Sequence, residues 1–151
     1  MDDTDKIILK KVQEHADKRL QLIEKETKIP RTTIHNRIQK LKKEKIITQI
    51  KAIVDPIKLE LPVCALIHIV VSFKQSTRKI AQRISALKNV ESVHITAGQF
   101  DIVAKVRFRS NKELSDFIFD DKTGLKSWPG IQRTESMLCL DSIKENGVLE
   151  P

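Results

Sequence analysis

The sequence predicts an α+β fold: a tri-helical, winged helix-turn-helix unit followed by a ferredoxin-like β-α-β-β-α-β unit. Three observations predict it. Apolar residues recur every three or four positions from Ile7 to Leu41, and from Ile46 onward they alternate or run continuously. Prolines mark the borders, Pro30 ahead of the third helical pattern and Pro56 and Pro62 between the two units. The chain has 151 residues, 40% of them hydrophobic, which is enough for packed cores. No run approaches the roughly 20 apolar residues that a membrane-spanning helix needs. The units are read as 1–50, a strand and linker at 51–62, a sheet unit at 63–140 and a tail at 141–151.

Asp2, Asp3 or Thr4 can cap a first helix in which Ile8, Val12 and Ala16 repeat every four residues. Ile7 and Leu9 widen its apolar face, and it ends near Asp17-Lys18-Arg19. Leu20, Ile23 and Thr27 give a short second helix, stopped by Lys28-Ile29-Pro30 because proline cannot continue a helix but can begin one. The third starts at Pro30 or Arg31. At about 100° per residue, Ile34, Ile38 and Leu41 fall within about 60° of one another, a narrow stripe to bury. Thr32, His35, Asn36, Gln39, Lys40 and Lys43 fall on the remaining, wholly polar side.

After Lys45, the run Ile46 to Val54 reads as one or two short strands closed by Asp55-Pro56. Strand Val63 to Phe73, helix Ser76 to Lys88 with Ile80, Ile84 and Leu87 inward, and strand Glu91 to Thr96 follow. Ala97-Gly98-Gln99-Phe100-Asp101 turns the chain into strand Ile102 to Phe108. Ser110 or Asn111 can cap a helix running to about Lys122, with Leu114, Phe117 and Ile118 inward. Thr123-Gly124 and Trp128-Pro129-Gly130 lead into a last strand, Ile131 to Leu140. This is the split β-α-β order.

The formal charge is +8, from 28 Lys plus Arg against 20 Asp plus Glu. It is concentrated. Between Arg31 and Lys45, the cations Arg31, Arg37, Lys40, Lys42, Lys43 and Lys45 face only Glu44. Such a cluster fits a polyanion, and equally a solvated helix face. The acidic start, Met1-Asp2-Asp3-Thr4-Asp5, is unlike a basic and then apolar export signal, so a cytoplasmic protein with no membrane partner is expected.

A steep turn at Lys28 to Pro30 leaves the third helix exposed on one side, the helix-turn-helix arrangement that fits a major groove. Arg31, Thr32, His35, Asn36 and Gln39 are side chains able to address base edges, and Lys40, Lys42 and Lys43 suit phosphates. Arg37 lies beside the apolar stripe. It either joins the DNA contact or braces the helices through a carboxylate such as Asp17 or Glu24. The acidic Asp2, Asp3 and Asp5 would repel DNA and should point away from it.

Catalysis has little support. There is no Gly-Xaa-Ser-Xaa-Gly, no His-Glu-Xaa-Xaa-His and no phosphate-cradling glycine loop, with four glycines in all. His15, His35, His68 and His94 are scattered. Cys64, His68, Glu91 and His94 lack metal-ligand spacing, so neither a metal nor a resident cofactor is expected. Cys64 and Cys139 are too few for a disulfide scaffold and read as buried reduced thiols. The predicted strand order would nevertheless make the first and last strands neighbours, so a redox pair of the two cysteines is the alternative reading.

Asp5-Lys6-Ile7-Ile8-Leu9, then Ile29-Pro30-Arg31-Thr32-Thr33-Ile34-His35-Asn36-Arg37-Ile38-Gln39-Lys40-Leu41, then Ile46-Ile47, resemble the helix-turn-helix of the Lrp/AsnC, or feast/famine, transcriptional regulators. Asp55-Pro56, Thr96-Ala97-Gly98-Gln99-Phe100-Asp101 and Pro129-Gly130-Ile131 extend the resemblance to all but about the last ten residues. It implies a two-domain regulator whose second, RAM domain dimerises by packing sheets together and can build tetramers or octamers. It also implies an amino acid or related effector near a Gly-Xaa-Xaa-Asp turn. Gly98 and Asp101 match that turn, and Gln99 and Phe100 fill its variable places. Asp101 could receive an α-ammonium; alternatively Gly98 shapes the hairpin and Asp101 caps it. Departures are visible: Lys28, Lys45 and Glu60 stand where the family commonly has glycine, Pro30 where it has a Ser or Thr cap, and Glu24 where it has alanine.

The function expected is sequence-specific binding of double-stranded DNA at a palindromic site by a homodimer or larger assembly, regulating transcription. A ligand-sensing oligomerisation module and a nonspecific nucleoid-packing protein are the alternatives.

Overall fold

The computed structural model describes residues 1–14 and 20–150. These divide into two compact units, Met1–Ile53 with Ile143–Pro151, and Val54–Ser142.

The first unit contains α1 (Asp3–Glu14), α2 (Leu20–Thr27) and α3 (Arg31–Lys43). Asp2 and Asp5 cap α1 reciprocally: the Asp5 amide donates to Asp2 Oδ1 at 2.8 Å and the Asp2 amide to Asp5 Oδ2 at 3.1 Å. Ile8, Val12, Ile23, Ile34, Leu41 and Ile47 form the core, with Leu9, Leu20, Ile29 and Ile38 packed against it. Ile7 does not widen this face as expected; it is 48% exposed, because the stripe of a short helix is satisfied by Ile8 and Val12. The expected roles of His15, Ala16 and Asp17-Lys18-Arg19 lie outside the described residues.

The ends of α2 and α3 turn through left-handed residues. Lys28 has φ 63° and Lys45 φ 57°. At the end of α3 the Lys45 amide donates to the Lys42 carbonyl at 3.0 Å and the Ile46 amide to the Leu41 carbonyl at 2.9 Å. This is a Schellman motif, which ordinarily recruits glycine because a Cβ crowds the next carbonyl. Pro30 precedes α3 without any side-chain cap. The wing expected at Ile46–Val54 is not formed by strands. Only Ile47 of its apolar residues is buried, Ile53 is 68% exposed, and no strand among the described residues pairs with the segment.

The second unit opens with a turn in which Asp55 Oδ1 accepts the Ile57 amide at 2.9 Å and Leu61 donates to the Pro56 carbonyl at 2.8 Å, Glu60 at φ 60° closing it. Then come β1 (Val63–Val71), α4 (Thr77–Ser85), β2 (Val90–Ile95), β3 (Ile102–Phe108), α5 (Asn111–Phe119), a 3-10 turn (Leu125–Ser127) and β4 (Ile131–Leu138). The antiparallel sheet has the order β2-β3-β1-β4, the ferredoxin-like arrangement predicted. β1 stops at Val71 rather than Phe73, whose side chain is fully exposed, and α5 stops before Lys122, where the Asp120 carboxylate caps a new turn through the amides of Lys122 and Thr123.

Ser76 and Ser110 cap α4 and α5. Ile80, Ile84, Leu114 and Ile118 cover one sheet face, where Ala65, Ile67, Ile69, Ile102, Ala104 and Val106 are buried. Trp128 packs at the edge of this core, its Nε1–H donating to the Thr123 carbonyl at 3.3 Å and the Arg83 guanidinium 4.2 Å from its ring. The alternate residues of β1, Cys64, Leu66, His68 and Val70, point to the opposite face, which carries no helix.

The tail belongs with the helices. Lys10 pairs with Glu150 at 2.6 Å, and the Gln13 side-chain amide both donates to the Leu149 carbonyl at 2.9 Å and accepts its amide at 3.0 Å.

Candidate nucleic-acid interface and effector turn

Burying Ile34 and Leu41 fixes the rotation of α3. Arg31, Thr32, His35, Asn36, Gln39, Lys40, Lys42 and Lys43 are consequently exposed, while Arg37 is half-buried at the margin of the stripe. The cations on this helix divide into two groups. Lys42, Lys43 and Lys45 form no ion pair among the described residues. Arg31, Arg37 and Lys40 do.

Arg37 is a brace, through carboxylates different from those expected. Its Nη1 contacts Asp2 and lies 3.0 Å from Asp5 Oδ1, while Lys40 Nζ lies 3.4 Å from Asp5 Oδ2. Glu24 instead holds Arg31, at 2.9 Å from Nε, and accepts the Arg31 amide at 3.2 Å. That carboxylate at the first turn of α3 supplies what Pro30 cannot: an acceptor for an unpaired amide. Asp17 lies outside the described residues.

Asp5 is the one charged residue fully buried among those described. Its neighbour's backbone amide, then Arg37 and Lys40, hold its carboxyl below the ordinary range, against the opposing effect of burial. Asp2 is lowered in the same way, first by the Asp5 amide and then by Arg37. Two of the three acids expected to repel DNA, Asp2 and Asp5, are thus ion-paired to α3. The sequence signal was an Asp-Xaa-Xaa-Asp spacing at a helix start, readable as a capping pair.

In the second unit, Gly98 sits at the hairpin tip with φ 136°, and a Cβ there would meet nothing within 4 Å. Glycine is required by the backbone, and the space over it is open. The Asp101 amide donates to the Ile69 carbonyl at 2.9 Å and its Oδ2 accepts the Val71 amide at 2.7 Å, so Asp101 pins the hairpin to β1. Phe100 turns toward the sheet, its ring 4.8 Å from His68 and beneath Arg133 at 5.4 Å. Gln99 is exposed. Local spacing places neither His68 nor Arg133 at this turn, since only the β1–β4 register brings them there. His68 Nδ1 is buried without a hydrogen-bond partner.

A family model described as the Lrp/AsnC ligand binding domain matches residues 64–149. The chain belongs to the Lrp/AsnC family. The match runs through most of the tail, beyond the reach of the motif resemblance. The HTH-type transcriptional regulator FL11 of Pyrococcus horikoshii is 32% identical over 145 residues, covering 96% of this chain and 93% of that protein. An uncharacterized HTH-type transcriptional regulator of Pyrococcus furiosus is 31% identical over 147 residues, 96% of each chain. Among solved structures, a Neisseria meningitidis transcriptional regulator in complex with L-Met is similar at TM-score 0.90 and 23% identity, covering 99% of this chain and 96% of that one. E. coli AsnC is similar at TM-score 0.85 and 24% identity, covering 100% and 99%. These two likenesses show the fold. The Lrp/AsnC family chain is a helix-turn-helix transcriptional regulator with a ligand-binding domain. No helix of the described residues is long and apolar enough to cross a membrane.

Proposed function

We propose that this Lrp/AsnC regulator reads double-stranded DNA with α3, in a sequence-specific manner, as a homodimer or a larger assembly of dimers in the cytoplasm. The carrying observation is the division of α3: a buried Ile34–Leu41 stripe, an exposed Thr32, His35, Asn36 and Gln39 surface, and Lys42 and Lys43 at its end, without an ion pair among the described residues. Arg31 and Lys40 are pre-positioned by Glu24 and Asp5, and Arg37 orients the helix from behind. Dimerisation is supported by the helix-free face of the sheet, and two-fold symmetry then calls for a palindromic site with half-sites about one helical turn apart. An amino acid or related effector at Gly98, Gln99, Phe100 and Asp101 is supported by the open space over Gly98 and by the L-Met complex of the structurally similar Neisseria regulator. No other cofactor and no catalytic activity enter this reading.

A mobility-shift titration of the full chain against genomic fragments tests it. If a dimer touches about eight phosphates, the log–log dependence of affinity on salt has a slope of about −7. Failure to bind any duplex below micromolar concentration at low salt overturns the reading. Equal affinity for every fragment would make the protein a nonspecific packer. Selecting fragments with and without pooled amino acids tests the effector.

A further inference from the structure

We propose that Cys64 and Cys139 form a reversible cross-strand disulfide on the helix-free sheet face, made by exchange with a low-molecular-weight disulfide of the glutathione class. β4 pairs with β1 in the register Ala65 to Leu138, so one step further along Cys64 faces Cys139. The Cys139 amide donates to the Cys64 carbonyl at 2.9 Å, extending the ladder through the pair. Facing residues of a hydrogen-bonded antiparallel pair have Cα atoms about 5.5 Å apart. That lies within the span of about 4.4–6.8 Å that a disulfide bridges. The two side chains share a face and interact directly as free thiols.

The partners differ in access, which orders the chemistry. Cys64 is 5% exposed, and burial together with the neighbouring Cys139 pushes its thiol up to about 11, so it stays protonated at neutral pH. Cys139 is half-buried at the strand end and meets the oxidant first. Its thiolate attacks the oxidant disulfide, giving Cys139–S–S–R and one R–S⁻. The Cys64 sulfur then attacks the Cys139 sulfur, its proton passing to solvent or to the leaving thiolate, and the second R–S⁻ departs. Two cysteine thiols lose two hydrogens and two electrons, and the oxidant gains them as two R–SH. Arg107 and Lys105 beside Cys64 favour the transient thiolate. A bond between β1 and the end of edge strand β4, in a protein without a disulfide framework, is of the labile and regulatory kind. It staples the point where the chain enters β1 to the point where it leaves β4, and it requires no second copy.

The reduced full-length protein is incubated with oxidised glutathione, quenched with a maleimide and read by intact mass. The sequence holds two cysteines in all, so each product is unambiguous. The expected wild-type product is a single chain that has lost two hydrogens, takes no maleimide and no glutathione, keeps the circular dichroism of the reduced protein, and recovers two reactive thiols in dithiothreitol. Cys64→Ser should stop at one glutathione, on Cys139. A wild type that carries glutathione while Cys64 still takes maleimide, a disulfide between two chains, or a wild type and Cys64→Ser that both stay fully reduced would overturn the proposal.

Discussion

Among the described residues the helical unit buries six apolar side chains and, beside them, the carboxylate of Asp5, whereas the sheet unit buries fifteen side chains, Cys64 among them, and no charged one. A three-helix unit of this size has little interior to hide. It compensates with reciprocal capping, with ion pairs reaching from α1 to α3, and with two helix ends folded tightly through lysines. The sheet unit has two helices over four strands, and its ion pairs, such as Glu91 with Lys105 and Arg107, lie beside a larger apolar core. The small unit draws its electrostatic support from α3, the helix proposed to meet DNA. Its cations are thereby sorted into those that hold the unit together and those without an ion pair among the described residues.

The largest expected effects come from the two cores. Ile34→Ala and Ile67→Ala should each cost about 3 kcal/mol, the loss of transferred surface plus a cavity. Hydrogen exchange should show α1 to α3 losing protection in the first variant with β1 and β3 unaffected, and the reverse in the second. Loss across both units in either variant would mean that they share one stability. Next, Arg31→Ala with Asn36→Ala should cost about 1–3 kcal/mol per base contact on the preferred duplex and far less on a random one. Lys42→Ala with Lys43→Ala should weaken every duplex and reduce the salt slope by about 2 per subunit. If both pairs bind like the parent, α3 is not the reading helix.

Acid should separate the units further. Asp2 and Asp5 have folded values below the ordinary carboxylate range, so their support is complete above about pH 4 and is lost as pH falls through those lowered values. In a pH series of melts the helical unit should weaken there, and Asp5→Asn should flatten the dependence. A parent as flat as the variant would show that the carboxylate does not stabilise the fold. The smallest effect is expected at Lys45: Lys45→Gly should gain about 0.5–1 kcal/mol in a denaturant melt, by relieving the left-handed Cβ penalty. A loss would contradict the strain assigned to that helix end.

Periodicity made much of this molecule legible. The four strands, the two capped helices of the sheet unit and the orientation of α3 follow from spacing alone, because each element buries a single face. Lys28, Lys45 and Glu60 were visible as departures from glycine, and all three carry positive φ. Patterning failed where an apolar run had no strand to pair with, as at Ile46 to Val54. It also failed where a contact crosses elements. Arg37 reaching Asp2 and Asp5, Glu24 taking Arg31, and His68 under Phe100 depend on how helices cross or strands register, and no local spacing encodes that.

Trp128 gives the molecule a built-in optical label. It is the chain's single tryptophan, the chain contains no tyrosine, and its ring lies against the sheet unit's core under Arg83. Red-edge fluorescence therefore originates in one unit alone, while far-ultraviolet ellipticity sums the helices of both. Subtracting one unfolding curve from the other isolates the behaviour of the helical unit, with no dye attached and no residue changed.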